Sequence, residues 1–203
     1  GIAQGQSTQV TLSAPGYQSL VIDVVVDPSG FALYQYSYPV LHQLSTNSSA
    51  ANTALSVYAL RLNADLTPAE QQEVRGGITV NVPVTSSVPA VGTITSSPVV
   101  MQALADGSAA PGATEFDPVS GGTTTLAVGT PAGFAVPNTS SDVYYHTSLI
   151  ATVSAPRVLV NFSTEPTAVR VGEDLQIPVY VSLEVAPAAP VDIQVVSDNA
   201  ARV

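Results

Sequence analysis

Two histidines are the side chains of this sequence best suited to acid–base or metal chemistry. They are His42 and His146, and Asp142 lies shortly before the second of them. With a serine these groups could form a Ser-His-Asp site, and the two imidazoles could bind a metal ion. The sequence contains neither the G-x-S-x-G nucleophile motif nor the H-E-x-x-H zinc motif. We therefore interpret both as ordinary strand or loop histidines and expect no enzyme activity.

Neighbouring carboxylates form two pairs, Glu115 with Asp117 and Glu173 with Asp174. Calcium binds where several oxygen ligands converge, and the EF-hand loop pattern is absent from the sequence. We expect these acids to be solvated loop residues that keep the surface negative. Glu173 and Asp174 are the candidate calcium ligands of this sequence.

Three tyrosines, Tyr34, Tyr36 and Tyr38, alternate with other residues in a predicted strand over residues 31–40. Alternation places them on one face of that strand. An exposed stripe of tyrosines offers a large, rigid contact area to a sugar or a protein partner. The same side chains could instead pack against a neighbouring strand inside a sandwich, which the sequence favours. They are the candidate binding residues.

The composition excludes whole classes of chemistry. Cysteine is absent, and all five basic residues are arginine. The chain therefore has no disulfide, no thiolate ligand or nucleophile, and no lysine for a Schiff base or a P-loop. Nucleic acid is not an expected partner, because it requires a basic surface and the net charge is −10. No cofactor is expected.

The elements that must position these residues are β-strands. Valine, threonine and serine are abundant, and these residues favour strands over helices. Short alternating segments separated by Pro/Gly turns predict an all-β fold, with one or two immunoglobulin-like β-sandwiches. Leu20–Val26 (LVIDVVV) is nearly all apolar and predicts a central strand buried on both faces. Residues 27–30 then predict a hairpin turn into the tyrosine strand.

One short helix is predicted near residues 68–75. Thr67 can cap this helix, Pro68 suits its first turn, and Glu70 stands where a capping box requires it. Gly76 and Gly77 would end the helix.

A domain boundary is predicted at Ala155-Pro156. It separates a β-sandwich domain, residues 1–155, from a shorter segment, residues 156–203. Three or four predicted strands bury too little apolar surface for this segment to be stable alone. Its strands could complete the first sandwich, the chain could continue beyond Val203, or another subunit could supply the missing strands by β-augmentation.

Two segments resemble known families. Residues 30–62 combine a tyrosine-alternating strand, a Ser/Asn-rich loop and an aliphatic strand, which resembles secreted bacterial β-sandwich surface proteins. Residues 158–196 are similar to the opening half of a Calx-beta module, with a V-x-F strand, V-x-V-G-E at residues 169–173 and an alternating V-x-V-x-L strand. Such modules are surface and adhesion building blocks, and the resemblance implies the same role here. The order Gly172-Glu173 departs from the usual Glu-Gly order, so no calcium ligands are transferred.

These features predict a non-enzymatic structural or adhesive β-sandwich module of an extracellular or cell-surface assembly or filament. The expected partners are copies of the chain or neighbouring surface proteins, which meet through sheet edges, and no membrane insertion is expected. A virion capsid or tail decoration protein and a carbohydrate-binding module of a secreted hydrolase are the alternatives. The first hypothesis predicts subunit contacts through the N-terminal strand or residues 157–203. The carbohydrate hypothesis predicts exposed tyrosines at positions 34, 36 and 38.

Overall fold

The computed structural model describes residues 4–35, 42–103, 110–161, 168–186 and 190–197. The chain divides into two compact units, Gly1–Ser154 (unit 1) and Ala155–Val203 (unit 2). All regular structure in the described ranges is β, which confirms the all-β prediction. Within those ranges no helix is long and apolar enough to cross a membrane.

Sixteen strands follow one another along the described chain. They are β1 (Ser7–Leu12), β2 (Leu20–Val25), β3 (Ser29–Tyr34), β4 (Gln43–Asn47), β5 (Thr53–Leu62), β6 (Pro68–Gln71), β7 (Thr79–Val82), β8 (Val84–Ser86), β9 (Gly92–Ile94), β10 (Val99–Gln102), β11 (Gly112–Pro118), β12 (Gly122–Val128), β13 (Tyr145–His146), β14 (Ser148–Ser154), β15 (Val158–Val160) and β16 (Val181–Leu183).

Two larger sheets of unit 1 share one hydrophobic core. The first has the order β13-β3-β5-β11-β9, with β6 also pairing with β5, and the second has the order β4-β14-β12-β8. Strand pairs are antiparallel except β4 and β14, which run parallel. β14 shows the alternation that a half-buried strand requires, since Leu149, Ala151 and Val153 are buried and their neighbours are exposed. The core cluster also takes residues from the first sheet, among them Phe31, Leu33, Leu55, Val57 and Phe116.

The outer face of the six-stranded sheet carries a second, smaller cluster. Ala32, Leu60 and Leu62 are buried there, with Tyr58 and Tyr145 packed against them. Successive side chains of a strand point to opposite sides of the sheet, so neighbouring residues of one strand belong to the core face and to this outer face in turn. The same strands therefore position an aliphatic core on one side and an aromatic surface on the other.

The interpretation of Leu20–Val26 as a central buried strand is wrong. Residues 20–25 form β2, which pairs with β1 in a separate two-stranded sheet, and every residue of both strands is exposed. The hairpin predicted at residues 27–30 is also absent, because β3 pairs with β5 and β13 and not with β2. An apolar run predicts a strand but does not identify its neighbour, which is set by contacts distant in sequence.

The helix predicted near residues 68–75 is wrong as well. Pro68–Gln71 form β6, whose Gln71 and Glu70 lie opposite Leu60 and Arg61 of β5. Thr67 does not cap a helix, because its Oγ1 donates to Asp65 Oδ1 at 2.6 Å within a tight turn. The Glu70 carboxylate accepts from Arg61 Nη2 at 3.2 Å across the strand pair. Pairing with β5 therefore replaces the local capping interactions.

The described residues of unit 2 form one short ladder. β15 and β16 pair antiparallel, with Val158 opposite Leu183 and Val160 opposite Val181. Residues 169–171 and 191–196 belong to no ladder. None of the buried hydrophobic side chains that the structure describes lies in unit 2.

Candidate binding surfaces

The two histidines, 104 positions apart in sequence, meet in the structure. His146 Nδ1 lies 2.8 Å from His42 Nδ1, and His146 Nε2 lies 2.8 Å from the carbonyl oxygen of Gln35. A carbonyl only accepts, so neutral His146 carries its proton on Nε2 and accepts at Nδ1 from His42 Nδ1–H. These two contacts link Gln35 and His42 to His146 of β13, which is a structural role.

Burial sets the protonation of His146. Its side chain is fully buried opposite Leu33 of β3. The pKa of the imidazole is lowered, first by loss of solvent around the charged form and further by the positive charge that His42 can carry. The hydrogen bond to Gln35 and the Asp142 charge oppose this shift without reversing it. His146 is therefore neutral at neutral pH.

Asp142 organises the neighbouring turn. Its Oδ1 accepts from the backbone N–H groups of Tyr144 and Tyr145, both at 2.8 Å. Such bonds fix a side-chain-closed turn that leads the chain into β13. The carboxylate that the sequence offered as a possible triad member thus positions two tyrosines.

Four tyrosines form a cluster on the outer face of the six-stranded sheet, which we call the tyrosine patch. Tyr34 is its centre, with ring centroids 5.5 Å from Tyr58, 6.1 Å from Tyr144 and 5.8 Å from Tyr145. The Tyr34 and Tyr144 rings are nearly parallel, 11° apart, and both are more than one third exposed. Tyr145 accepts a 2.7 Å hydrogen bond from Gln71 Nε2, and burial raises its pKa.

The tyrosine patch differs from the stripe that the sequence predicts. Tyr34 is on the patch, whereas Tyr36 and Tyr38 lie outside the described residues. Its other three members come from β5 and from the segment that enters β13. Sequence alternation could not find them, because neighbouring strands bring them together across 110 positions of chain.

The two carboxylate pairs that the sequence offers lie in different units of the chain. Glu173 and Asp174 lie in an exposed turn of unit 2, closed by the Leu175 N–H to the Gly172 carbonyl oxygen at 3.1 Å. Glu115 accepts from Asn52 Nδ2 at 2.9 Å in unit 1. In the part of the chain that the structure describes, no three His, Asp or Glu side chains gather where they could hold a metal ion.

A cleft of about 810 Å³ lies within unit 1, beside the end of β2. Its walls include apolar side chains and Arg61. Arg61 forms ion pairs with Asp27 at 3.0 Å and Glu70 at 3.2 Å, so two carboxylates already neutralise its charge. Arg75 and Glu73 also line the cleft, so its walls combine apolar and charged side chains.

Among the strand pairs that the structure describes, the β1–β2 hairpin carries the largest uninterrupted set of exposed aliphatic side chains. Val10 lies opposite Ile22 and Leu12 opposite Leu20, and residues directly opposite share a face. We call this set the hairpin aliphatic face; its members are 39–56% exposed and are Val10, Leu12, Leu20, Ile22 and Val24. The other face alternates polar and apolar residues and includes Asp23. The hairpin is thus amphipathic, and its aliphatic face is open to solvent.

Comparisons with known proteins identify no family. No family model matches the chain, and no curated protein matches it. One solved structure, the crystal structure of the S-layer protein SbsC domains 4 and 5, is 13% identical with a TM-score of 0.37. The match covers 73% of this chain and 66%, just under two thirds, of that chain. At this TM-score the likeness carries no argument about function.

Proposed function

We propose that this chain is a non-enzymatic structural or adhesive β-module that associates with copies of itself in an extracellular or cell-surface assembly. The hairpin aliphatic face carries this proposal. Monomeric proteins rarely expose contiguous apolar patches larger than a few hundred Å², and the largest patch of a protein is often an interaction site. Five aliphatic side chains share this face, and each is at least 39% exposed.

The distribution of charge supports association through this face. The chain carries a net charge of −10, yet residues 4–26 contain a single charged side chain, Asp23, and it lies on the opposite face of the hairpin. The main cost of burying a surface is the removal of charged groups from water. Covering the aliphatic face removes none, because it carries no charged side chain. The remaining acids keep the rest of the surface negative and limit indiscriminate pairing of exposed strands.

A charge on the hairpin aliphatic face is expected to disrupt association. In Ile22→Asp a carboxylate replaces an aliphatic side chain at the centre of the face. Burial of the isoleucine contributes ~1.5–3 kcal/mol to association, and this contribution is lost. Burial of the carboxylate adds a further cost. We expect at least a roughly tenfold higher concentration for half-association. Sedimentation velocity over a range of protein concentrations measures this change.

Thr11→Asp is the matched control. It adds the same charge to the same hairpin, but on the face that holds Val21 and Asp23. Association should be close to that of the unchanged chain. A wild-type chain that stays monomeric at every concentration, or equal effects of both substitutions, would contradict the proposed function.

Carbohydrate binding is a second candidate, supported by the tyrosine patch. The nearly parallel, part-exposed rings of Tyr34 and Tyr144 provide flat apolar area. Such surfaces suit the apolar faces of sugars as well as protein partners.

If the tyrosine patch binds polysaccharide, Tyr144→Ala should weaken that binding roughly 3- to 10-fold, in line with about 0.5–1.5 kcal/mol for one aromatic contact. Affinity electrophoresis in gels that contain soluble polysaccharides gives this measurement. Tyr17→Ala is the control, because Tyr17 is 81% exposed in the β1–β2 loop and lies outside the patch. Equal mobility of both variants and the wild type in every gel would rule out this function.

A further inference from the structure

His42 and His146 lie where the chain meets both large sheets of unit 1. His146 ends β13 of the six-stranded sheet, and β14 of the four-stranded sheet begins at Ser148. His42 directly precedes β4, also of the four-stranded sheet, and its carbonyl oxygen accepts from the N–H of Ile150 in β14 at 2.7 Å. Gln35 directly follows β3 of the six-stranded sheet. We call Gln35, His42 and His146 the histidine junction, because their contacts join the two sheets.

The bond between the two imidazoles can hold only one proton between its nitrogen atoms. The two Nδ1 atoms are 2.8 Å apart, and Nε2 of His146 donates to the Gln35 carbonyl oxygen. One added proton leaves the bond in place, since an imidazolium donates to a neutral imidazole. When both rings are protonated, two N–H donors and two positive charges face each other at this distance. Double protonation therefore breaks the link.

The surroundings of the pair supply little compensating charge. The strands that meet around it, β3, β4 and β14, contain no charged side chain. Among the described residues, Asp142 in the turn before β13 is the carboxylate that acts on His146, and its charge favours the protonated ring. The phenol of Tyr145 points to the opposite face of β13. Burial has the largest effect and lowers the pKa of His146, so the closed junction binds protons less readily than an open one.

The edge that the junction holds closed is short. β13 comprises two residues, which pair with Tyr34 and Leu33 of β3, and the Gln35 N–H donates to the Tyr144 carbonyl oxygen at 2.8 Å. His42 has a φ of 45°, in the left-handed region that residues other than glycine rarely adopt. Such a conformation persists only where surrounding contacts enforce it. Loss of the imidazole pair therefore favours opening.

We propose that the histidine junction is a pH-sensitive link between the two sheets: double protonation separates His42 from His146 and opens the edge between β3 and β13. The tyrosine patch opens with it, because Tyr34 lies on β3 and Tyr144 and Tyr145 lie across that edge. A ligand of the patch would be bound at neutral pH and released in acid. This link is independent of self-association through the hairpin aliphatic face.

Amide hydrogen exchange of the full chain, measured by NMR between pH 7.5 and 5, tests the link. The N–H groups of Gln35 and Ile150 report on the junction, because they donate to the carbonyl oxygens of Tyr144 and His42. The opening constant of each is its exchange rate divided by the intrinsic rate at the same pH. Both constants should rise roughly tenfold or more per pH unit below about pH 6, since each proton taken up on opening contributes a factor of ten.

Thr95 provides the internal control for these measurements. Its N–H donates to the Glu115 carbonyl oxygen at 3.0 Å, beside β9 at the other end of the six-stranded sheet. Its opening constant should change much less over the same pH range. The near-UV circular dichroism of the tyrosines should decrease with the same pH dependence as the opening of the junction, because the patch rings lose their fixed contacts.

Two variants separate the histidines from other groups. In His146→Gln the amide can donate to the Gln35 carbonyl and accept from His42, but it takes up no proton. The opening constants should then be nearly independent of pH. In His42→Gln the amide can turn its oxygen toward a protonated His146. This variant should therefore show a weaker acid response than the wild type.

Three results would overturn the inference. Opening constants of Gln35 and Ile150 that stay unchanged with pH in the wild type would show that protons do not control the link. An equal rise at Thr95 would mean that acid loosens unit 1 as a whole. A full acid response in His146→Gln would assign it to other groups. Sedimentation velocity reports on the oligomeric state separately, so none of these results bears on the proposed self-association.

Discussion

Replacement of Phe116 by alanine is expected to lower the free energy of unfolding of unit 1 by about 3–5 kcal/mol. Phe116 is fully buried in β11, between β5 and β9, and it belongs to the core that the two large sheets share. Alanine would leave a cavity, because backbone ladders on both sides prevent the sheet from collapsing into the space. Urea denaturation followed by circular dichroism measures the loss.

The exposed residue Val119 provides the control for this prediction. Val119 follows β11 directly and is 52% exposed, so Val119→Ala should change stability by no more than about 0.5 kcal/mol. The transition reports on unit 1, since the buried hydrophobic residues of the described chain all lie there. Equal losses for the two variants would mean that Phe116 does not occupy the core.

Gly92 gives a more specific check of the same packing. A Cβ atom at this buried position of β9 would overlap the Phe116 ring, so Gly92→Val should destabilise the wild type. The Phe116→Ala background removes the clash with the ring but not the one with the Asp117 carbonyl oxygen, which lies 2.8 Å from the same Cβ position. The double variant should therefore lose less stability than the sum of the two single losses, as expected for residues in direct contact. Simple additivity would contradict the observed contact.

Removal of His146 is expected to cost about 2–5 kcal/mol. His146→Ala empties the site of a fully buried ring, and it removes two hydrogen bonds, to the half-buried Gln35 carbonyl and from the half-buried His42 Nδ1–H, each worth about 0.5–1.5 kcal/mol. The loss is measured by urea denaturation at pH 7.5. His146→Gln should restore part of it, because an amide can donate to the carbonyl and accept from His42. A loss below about 0.5 kcal/mol would show that the pair contributes little.

The same residue makes stability depend on pH. The pKa of His146 in the folded chain lies below its ordinary value of 6.5, because burial disfavours the charged form. Between the folded and the ordinary pKa the unfolded chain binds more protons, so stability falls as the pH drops from about 6.5 through this window. The His146 variants should lose this part of the pH dependence. An unchanged slope in His146→Gln would assign it to other groups.

Local patterns in the sequence were sufficient for the fold class and for much of the secondary structure. In β14, for example, the period-two alternation of the sequence corresponds to buried Leu149, Ala151 and Val153. The same type of reasoning failed at residues 68–75, where capping residues suggested a helix and pairing with β5 formed β6. Capping contributes about 1 kcal/mol, so a strand pairing with Arg61 and its neighbours can outweigh it.

The candidate surfaces were predicted less completely. Tyr34 was a candidate and is on the tyrosine patch, but Tyr58, Tyr144 and Tyr145 were not, because they come from other strands. The two histidines could not be paired from the sequence for the same reason. Glu173 and Asp174 remain a prediction as calcium ligands; the structure places them in an exposed turn.

By itself, the sequence determined that this is an all-β chain without thiol or lysine chemistry, because strand propensity and available functional groups are properties of single residues and short segments. Only the tertiary structure decided which strands are neighbours, and so which apolar faces are covered. Leu20–Val26 shows the difference. Its valines and leucine guarantee an apolar strand, but whether that strand lies in a core or on a surface depends on residues far away in the chain. The structure leaves it on the surface, with its side chains exposed to solvent.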